Sequence, residues 1–225
     1  MLPGTPQLRT QSGFCTLYHA LIVNNYPNKP SATIKVVPNK IDIYNEQDQP
    51  LGKQSTIDTA LHQGLWHRGV HVVFCSNDGM VVVQKRSRAM RMHPGQLDIS
   101  CGGFVDTGET PEQAAVRETK EELGITISPS QLHFMSVYRL NHVWPKIGIH
   151  DRAFIYCYMV TLPISPAALV TQPEEVEWAK LITLARAQRL VRLHRLRRLG
   201  RIEPRYVFYR YLLAQVRRMS KNAVV

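Results

Sequence analysis

The chain has 225 residues, with 28 Lys and Arg against 17 Asp and Glu and a formal net charge of +11. That length holds one sizeable domain with extensions, or two small ones at most, and no apolar run reaches the ~20 residues needed to span a bilayer. Four cysteines (Cys15, Cys75, Cys101, Cys157) without CxxC spacing exclude a disulfide framework and a common zinc site, and suit a reducing compartment. The charge is unevenly spread. Residues 1–185 carry 16 basic and 16 acidic side chains, whereas residues 186–225 carry eleven arginines and Lys221 against Glu203 alone.

Residues 1–35 are expected to form a disordered or loosely docked N-terminal extension. It carries no acid, the first in the chain being Asp42, and Arg9 with several hydroxyls and the apolar run 14–23 resembles a transit peptide in outline. It is poor in arginine and has no clear cleavage site. The expected compartment is therefore the cytoplasm, with the mitochondrion as the alternative.

A domain is expected over 36–185. Ile41–Tyr44 alternates like a strand and leads into a turn at Asn45–Asp48. Gly69–Cys75 and Met80–Lys85 are β-rich runs joined through Asp78-Gly79, a hairpin signal. A glycine-bearing loop, 94–109, feeds a helix from Thr110 to Leu123. Thr110 suits the N-cap, Pro111 the first helical position, Gln113 completes a capping box and Gly124 the stop. On its wheel, Val116, Thr119 and Leu123 are expected to face the core and Gln113 and Lys120 to face water, with Ala114 and Ala115 near the carboxylate side. Strands are expected near 133–140, 153–162 and 176–181, and a late helix from about Leu184.

Within that helix, Glu118, Glu121 and Glu122 follow Arg117 and fall within roughly a 100° arc of one face. Three like charges so close call for a counter-charge, and a hard cation such as Mg²⁺ takes carboxylate, water and phosphate oxygens. Upstream, Gly102-Gly103 permits close backbone approach. The order Gly103, Glu109, Arg117, Glu118, Glu121, Glu122, Gly124, Ile125 has the spacing Gly-x5-Glu-x7-Arg-Glu-U-x-Glu-Glu-x-Gly-U and resembles the Nudix box. Thr119 stands where that family carries an aliphatic residue; its methyl can face the core while its hydroxyl bonds back along the helix. Residues 66–72, 83–87 and 94–100 are similar to a branch related to isopentenyl-diphosphate isomerases, and the resemblance covers roughly 40–185.

The resemblance implies an α+β fold, a Nudix-type α/β/α sandwich with a mixed β-sheet, to which the sequence adds an Arg-rich C-terminal helical extension. It implies hydrolysis of a phosphoanhydride in a nucleotide or nucleoside diphosphate-linked substrate, with Mg²⁺ as cofactor and Mn²⁺ as substitute. The implied metal ligands are Glu118, Glu121 and Glu122 with the Gly103 carbonyl, while Arg117 pairs with Glu109 and Glu121 and holds the acids in register. Glu118 can serve as base instead, as can a later acid: Glu174, Glu175, Glu177 or, less centrally, Asp151. Lys85, Arg86 and Arg88 are candidates for substrate phosphate, and His67 and His71 are read as packed or capping histidines.

Two other functions compete. An isomerase would use Cys101, but its glutamate has no counterpart in 150–156 and its histidine beside the cysteine is missing, since Gly102-Gly103-Phe104 follows. A binding module without chemistry is disfavoured by the complete acid set. The basic tail, 186–225, has arginines at 186, 189, 192, 195, 198 and 201, a period of three that winds around a helix, and then an aromatic helix from Tyr206. Its expected partner is RNA, which would allow an RNA 5′ end as substrate, or an acidic surface; a solvated terminal helix is equally compatible. Oligomeric state is open, a homodimer included.

Overall fold

The computed structural model describes residues 40–90, 92–163, 165–192 and 206–222. The elements run β1 (Lys40–Tyr44), β2 (Pro50–Thr56), α1 (Ile57–Gln63), β3 (Trp66–Cys75), β4 (Met80–Arg86), β5 (Leu97–Ile99) and β6 (Cys101–Phe104). Then follow α2 (Pro111–Leu123), β7 (His133–Trp144), β8 (Ile149–Thr161), β9 (Val176–Thr183), α3 (Leu184–Arg192) and α4 (Tyr206–Asn222).

β3 is the hub. Nine of its ten residues are buried, as in a strand covered on both faces. It pairs antiparallel with β1, β4 and β6, and parallel with β8 over its whole length. The sheet extends through β2 beside β1, β5 and β9 beside β4, and β7 beside β8. Side chains alternate across this sheet and build two cores. Val70, Val72 and Phe74 pack with Ala114, Ala115 and Leu123 of α2. Val73 and Cys75 pack with Ala187 and Val191 of α3 and with Phe208, Tyr209, Leu212, Leu213 and Val216 of α4. The result is the expected α/β/α sandwich.

The boundary expected at 185/186 does not separate two bodies. β9 runs directly into α3, and the buried positions of α4 follow the helical spacing i, i+1, i+4, i+5, i+8, so one apolar stripe closes on the sheet. Each buried Leu or Phe there contributes about 1.5–3 kcal/mol. The arginines of α3 (Arg186, Arg189, Arg192) are exposed while Ala187 and Val191 point inward. Arg195, Arg198 and Arg201, like the N-terminal extension 1–35, lie outside the described residues. Among the described residues no helix is long and apolar enough to cross a membrane.

β2, α1, β5 and β6 had no expectation. β2 (PLGKQST) has no buried residue and no alternation. α1 has only seven residues, although Thr56 caps it and Gly64 stops it. β5 and β6 are three and four residues long and lie inside the glycine loop.

Candidate active site

α2 begins and ends as its sequence dictates. The Thr110 hydroxyl accepts from Gln113 N–H, the Gln113 side chain caps Thr110 N–H at 2.8 Å, and Gly124 closes the helix at φ +70°. Its buried face differs from expectation. Ala114, Ala115, Thr119 and Leu123 are fully enclosed, Val116 is only partly covered, and Glu122 and Glu118 are 2% and 8% exposed. The two alanines are small enough to let the helix close on β3 and β6, and this turns two carboxylates inward instead of leaving them between faces. Thr119 fills its site as expected, with its hydroxyl donating to Ala115 O at 2.7 Å.

Arg117 organises the approach. Its Nε and Nη2 donate to the two oxygens of Glu109, both at 2.9 Å, a bidentate fork. Nη1 donates to Glu118 Oε1 at 2.8 Å and Glu121 Oε2 at 3.1 Å, and Nη2 also reaches Phe104 O at 2.9 Å. One guanidinium thus ties the loop, the β6 end and two acids of α2 together. It holds the Glu109 carboxyl below the usual carboxylate range.

Gly103 has a spatial reason. A Cβ there would sit 2.0 Å from Glu118 Oε1, so any side chain would displace the carboxylate. Burial raises the Glu118 carboxyl to about 7, with Arg117 opposing and Glu121 adding to the shift. Glu122 is pushed well above the ordinary range by burial, then by Glu118 and Asp98. It accepts from Gln84 Nε2 at 2.8 Å and from Gly102 N–H at 3.3 Å, on the edge of β6 turned away from β3. Gln84 Oε1 is left buried with no hydrogen-bond partner among the described residues.

Among the described residues, no three His, Cys, Asp or Glu side chains already close on a common point. The donor chemistry nevertheless fits a hard cation. Burial raises the proton affinity of two carboxyls, that of Glu122 further through Glu118, a third (Glu121) stands exposed beside them, an amide oxygen next to Glu122 has no partner among the described residues, and Gly103 keeps the space open.

The candidate phosphate groups divide. Arg86 reaches the site: Nη1 lies 3.5 Å from Asp98 Oδ2, and its charge opposes the shift of Glu122. Lys85 does not. Alternation places it on the opposite face from Gln84, where Nζ pairs with Glu177 Oε1 at 2.7 Å and the side chain lines a groove with Trp178 and Arg186. Arg88 is exposed in the loop after β4. Of the later acids, Glu175 is close enough to raise the Glu118 carboxyl, Glu174 is exposed, and Glu177 is engaged by Lys85. Asp151 faces His67 on neighbouring strands.

Cys101 is fully enclosed, with Sγ 3.6 Å from the Thr119 hydroxyl, and burial pushes its thiol far above the ordinary range. Three contributors escaped the sequence reading: Gln84, Asp98, and Tyr209, whose hydroxyl donates to Asp98 Oδ1 at 2.5 Å. The polar Gln84, placed directly after the apolar run 80–83 within the same strand, was the signal for the first. Nothing local marks a tyrosine 111 residues away from its partner.

The family pattern described as NUDIX domain matches residues 65–201. An uncharacterised Nudix hydrolase of Yersinia pestis is 33% identical over 150 residues, covering 66% of this chain and 72% of its own length. A Streptomyces griseus protein named isopentenyl-diphosphate Delta-isomerase is 28% identical over 145 residues, 64% of this chain and 71% of its own. The crystal structure of DR0079 from Deinococcus radiodurans shares the fold with a TM-score of 0.58 at 22% identity, covering 78% of this chain and 98% of that one. With the loop, the capped helix and its acids in place, this chain belongs to the Nudix family.

Proposed function

We propose that the chain hydrolyses a phosphoanhydride bond in a nucleotide or a nucleoside diphosphate-linked substrate, with Mg²⁺ as cofactor and Mn²⁺ as substitute. The observation that supports this most directly is the Glu118–Glu122 pair, buried against Gly102 and Gly103. A divalent cation there would neutralise phosphate charge and make bound water more acidic. Glu118, Glu121 and Glu122, with the Gly103 carbonyl, would hold it.

The chain's own residues supply the rest. Arg117, anchored on Glu109, keeps Glu118 and Glu121 in register. Arg86 is placed to bind the phosphate oxygens, and Asp98, held by Tyr209, orients it. In the chemical step the water oxygen forms the new P–O bond and its proton passes to a carboxylate, Glu118 where it serves as base instead of metal ligand. The bridging P–O bond breaks with its electron pair on the leaving phosphate. Glu175 is the second candidate for that proton. The isomerase reading is weaker because Cys101 is absent from the lining of the cavity beside the site and lies sealed against α2.

The test is phosphate release from nucleoside di- and triphosphates, nucleotide sugars and dinucleotides with Mg²⁺ or Mn²⁺. A 5′-triphosphate RNA joins the panel because Arg186, Arg189 and Arg192 are exposed. Metal-dependent turnover of at least one class is expected. No turnover and no metal affinity would overturn the reading, and product from isopentenyl diphosphate that vanishes in Cys101→Ala would favour the isomerase.

A further inference from the structure

A cavity of about 110 Å³ opens beside Gly102 and Gly103, with Arg86 on its wall. Strand register explains its floor. His67, Gly69 and His71 share one face of β3, and Asp151, Ala153 and Ile155 share the same face of the parallel β8, with His67 opposite Ala153 and Gly69 opposite Ile155. Gly69 and Ala153 are small and leave the middle of that floor open.

Two acceptors face each other there. His67 is 1% exposed, and its Nδ1 lies 3.0 Å from Leu65 O. A carbonyl oxygen only accepts, so Nδ1 carries the proton. Burial disfavours a second proton, against the pull of Asp151, so Nε2 presents a lone pair. That Nε2 lies 3.5 Å from Asp151 Oδ1, which is buried with no hydrogen-bond partner among the described residues, on a residue only 6% exposed. Folded chains rarely leave a buried acceptor unmatched. Among the described residues none supplies the missing donor, which leaves the place to water or a ligand.

We propose that His67 and Asp151 are an acceptor pair that recognises a hydroxyl or amino group on the part of the substrate beyond its diphosphate. With the diphosphate at Glu118, Glu122 and Arg86, one end group of the substrate enters this cavity. The volume selects a small hydroxylated or aminated group, since a cavity of about 150 Å³ is what accepts a benzene ring. The inference rests on the hydrolase reading only for the position of the diphosphate.

Binding of non-hydrolysable methylenediphosphonates carrying 2-hydroxyethyl, 2-aminoethyl or ethyl groups, measured by calorimetry on the full chain with Mg²⁺, tests it. The hydroxyl or the amine compound should bind at least about tenfold more tightly than the ethyl compound, and which of the two wins names the donor. Asp151→Asn sets an amide N–H against His67 Nε2; it should bring that ratio close to one and raise the melting temperature of the ligand-free protein by ~2–4 °C. His67→Phe, which keeps a ring against Phe104, should lower the ratio too. Equal binding of all three compounds, no binding of any, or a ratio unchanged in both variants would overturn the proposal. So would a lower melting temperature in Asp151→Asn, the mark of a His67–Asp151 ion pair. Nucleotide turnover is scored separately: turnover with equal binding sinks this inference alone, and donor-selective binding without turnover sinks the hydrolase reading alone.

Discussion

The two faces of the central sheet are built from opposite materials. Toward α2 the helix contributes Ala114, Ala115, Thr119 and Leu123 together with two carboxylates, Glu118 and Glu122. Toward α3 and α4 the sheet buries Phe208, Tyr209, Leu212, Leu213 and Val216. Burying carboxylates costs stability unless each is paired, and here one guanidinium, one carboxamide and one backbone N–H serve both acids. Large apolar side chains on the opposite face offset that cost. The carboxylates are thus mounted on one side of β3 and supported from the other, the face that also floors the cavity at His67, Gly69 and Ala153, and Tyr209 reaches from that side to Asp98.

The largest expected effect comes from removing the support. Deleting residues 206–225 exposes an apolar stripe whose members contribute about 1.5–3 kcal/mol each, comparable in sum with the about 5–15 kcal/mol that holds a typical domain. The shortened chain should show no cooperative melt by circular dichroism. A melt like that of the full chain would mean α4 is an ornament and the comparison is wrong.

Next comes the fit between loop and helix. Gly103→Ala places a methyl 2.0 Å from Glu118 Oε1. The expected outcome is a loss of stability of about 1–3 kcal/mol and of kcat/KM by about 10²-fold, read by denaturant titration and steady-state kinetics. Unchanged kinetics would show that the Glu118 position is immaterial.

The acids also set a pH signature. The folded Glu118 carboxyl is raised from its ordinary 4.5 to about 7. A raised folded value means the folded state binds the extra proton between those limits. Its stabilising contribution is full below about pH 4.5 and is lost as pH rises through about 7. Metal-free protein should therefore show a component of stability that declines across that window, and Mg²⁺ should flatten it. A rise over the same window in Glu118→Gln-subtracted melts would contradict the assignment.

The smallest effect is expected at Cys101. Cys101→Ala should change kcat/KM on the best nucleotide substrate by no more than about twofold, because the thiol is sealed against Thr119. A loss of several orders of magnitude would bring the cysteine back into the chemistry.

How far the sequence carried differs between these faces for physical reasons. The capping box, Gly124 and the Arg117–Glu109 pairing are local or fixed by short spacing, so residue order alone displays them. The strand runs 69–75 and 80–85 announced themselves by β-branched residues and an Asp-Gly turn. The direction of the carboxylates was not legible. A wheel places Glu122 among acids, and only the alanines beside it permit the tight approach that buries it. Lys85 and Arg86 look alike as neighbours in sequence, yet strand alternation sends one to Glu177 and the other to Asp98. The charge count made 186–225 look separate because net charge ignores the apolar spacing between the arginines. That spacing is what packs α3 and α4.

The most direct test of the central claim, that Glu122 is buried for a cation at the expense of the fold, is a paired measurement on Glu122→Gln. Without metal this variant should melt above the wild type, since a neutral amide replaces a carboxylate that burial and Glu118 both disfavour. Its Mg²⁺-dependent kcat/KM should fall by about 10²–10³-fold. A variant that melts lower while keeping its activity would contradict the account.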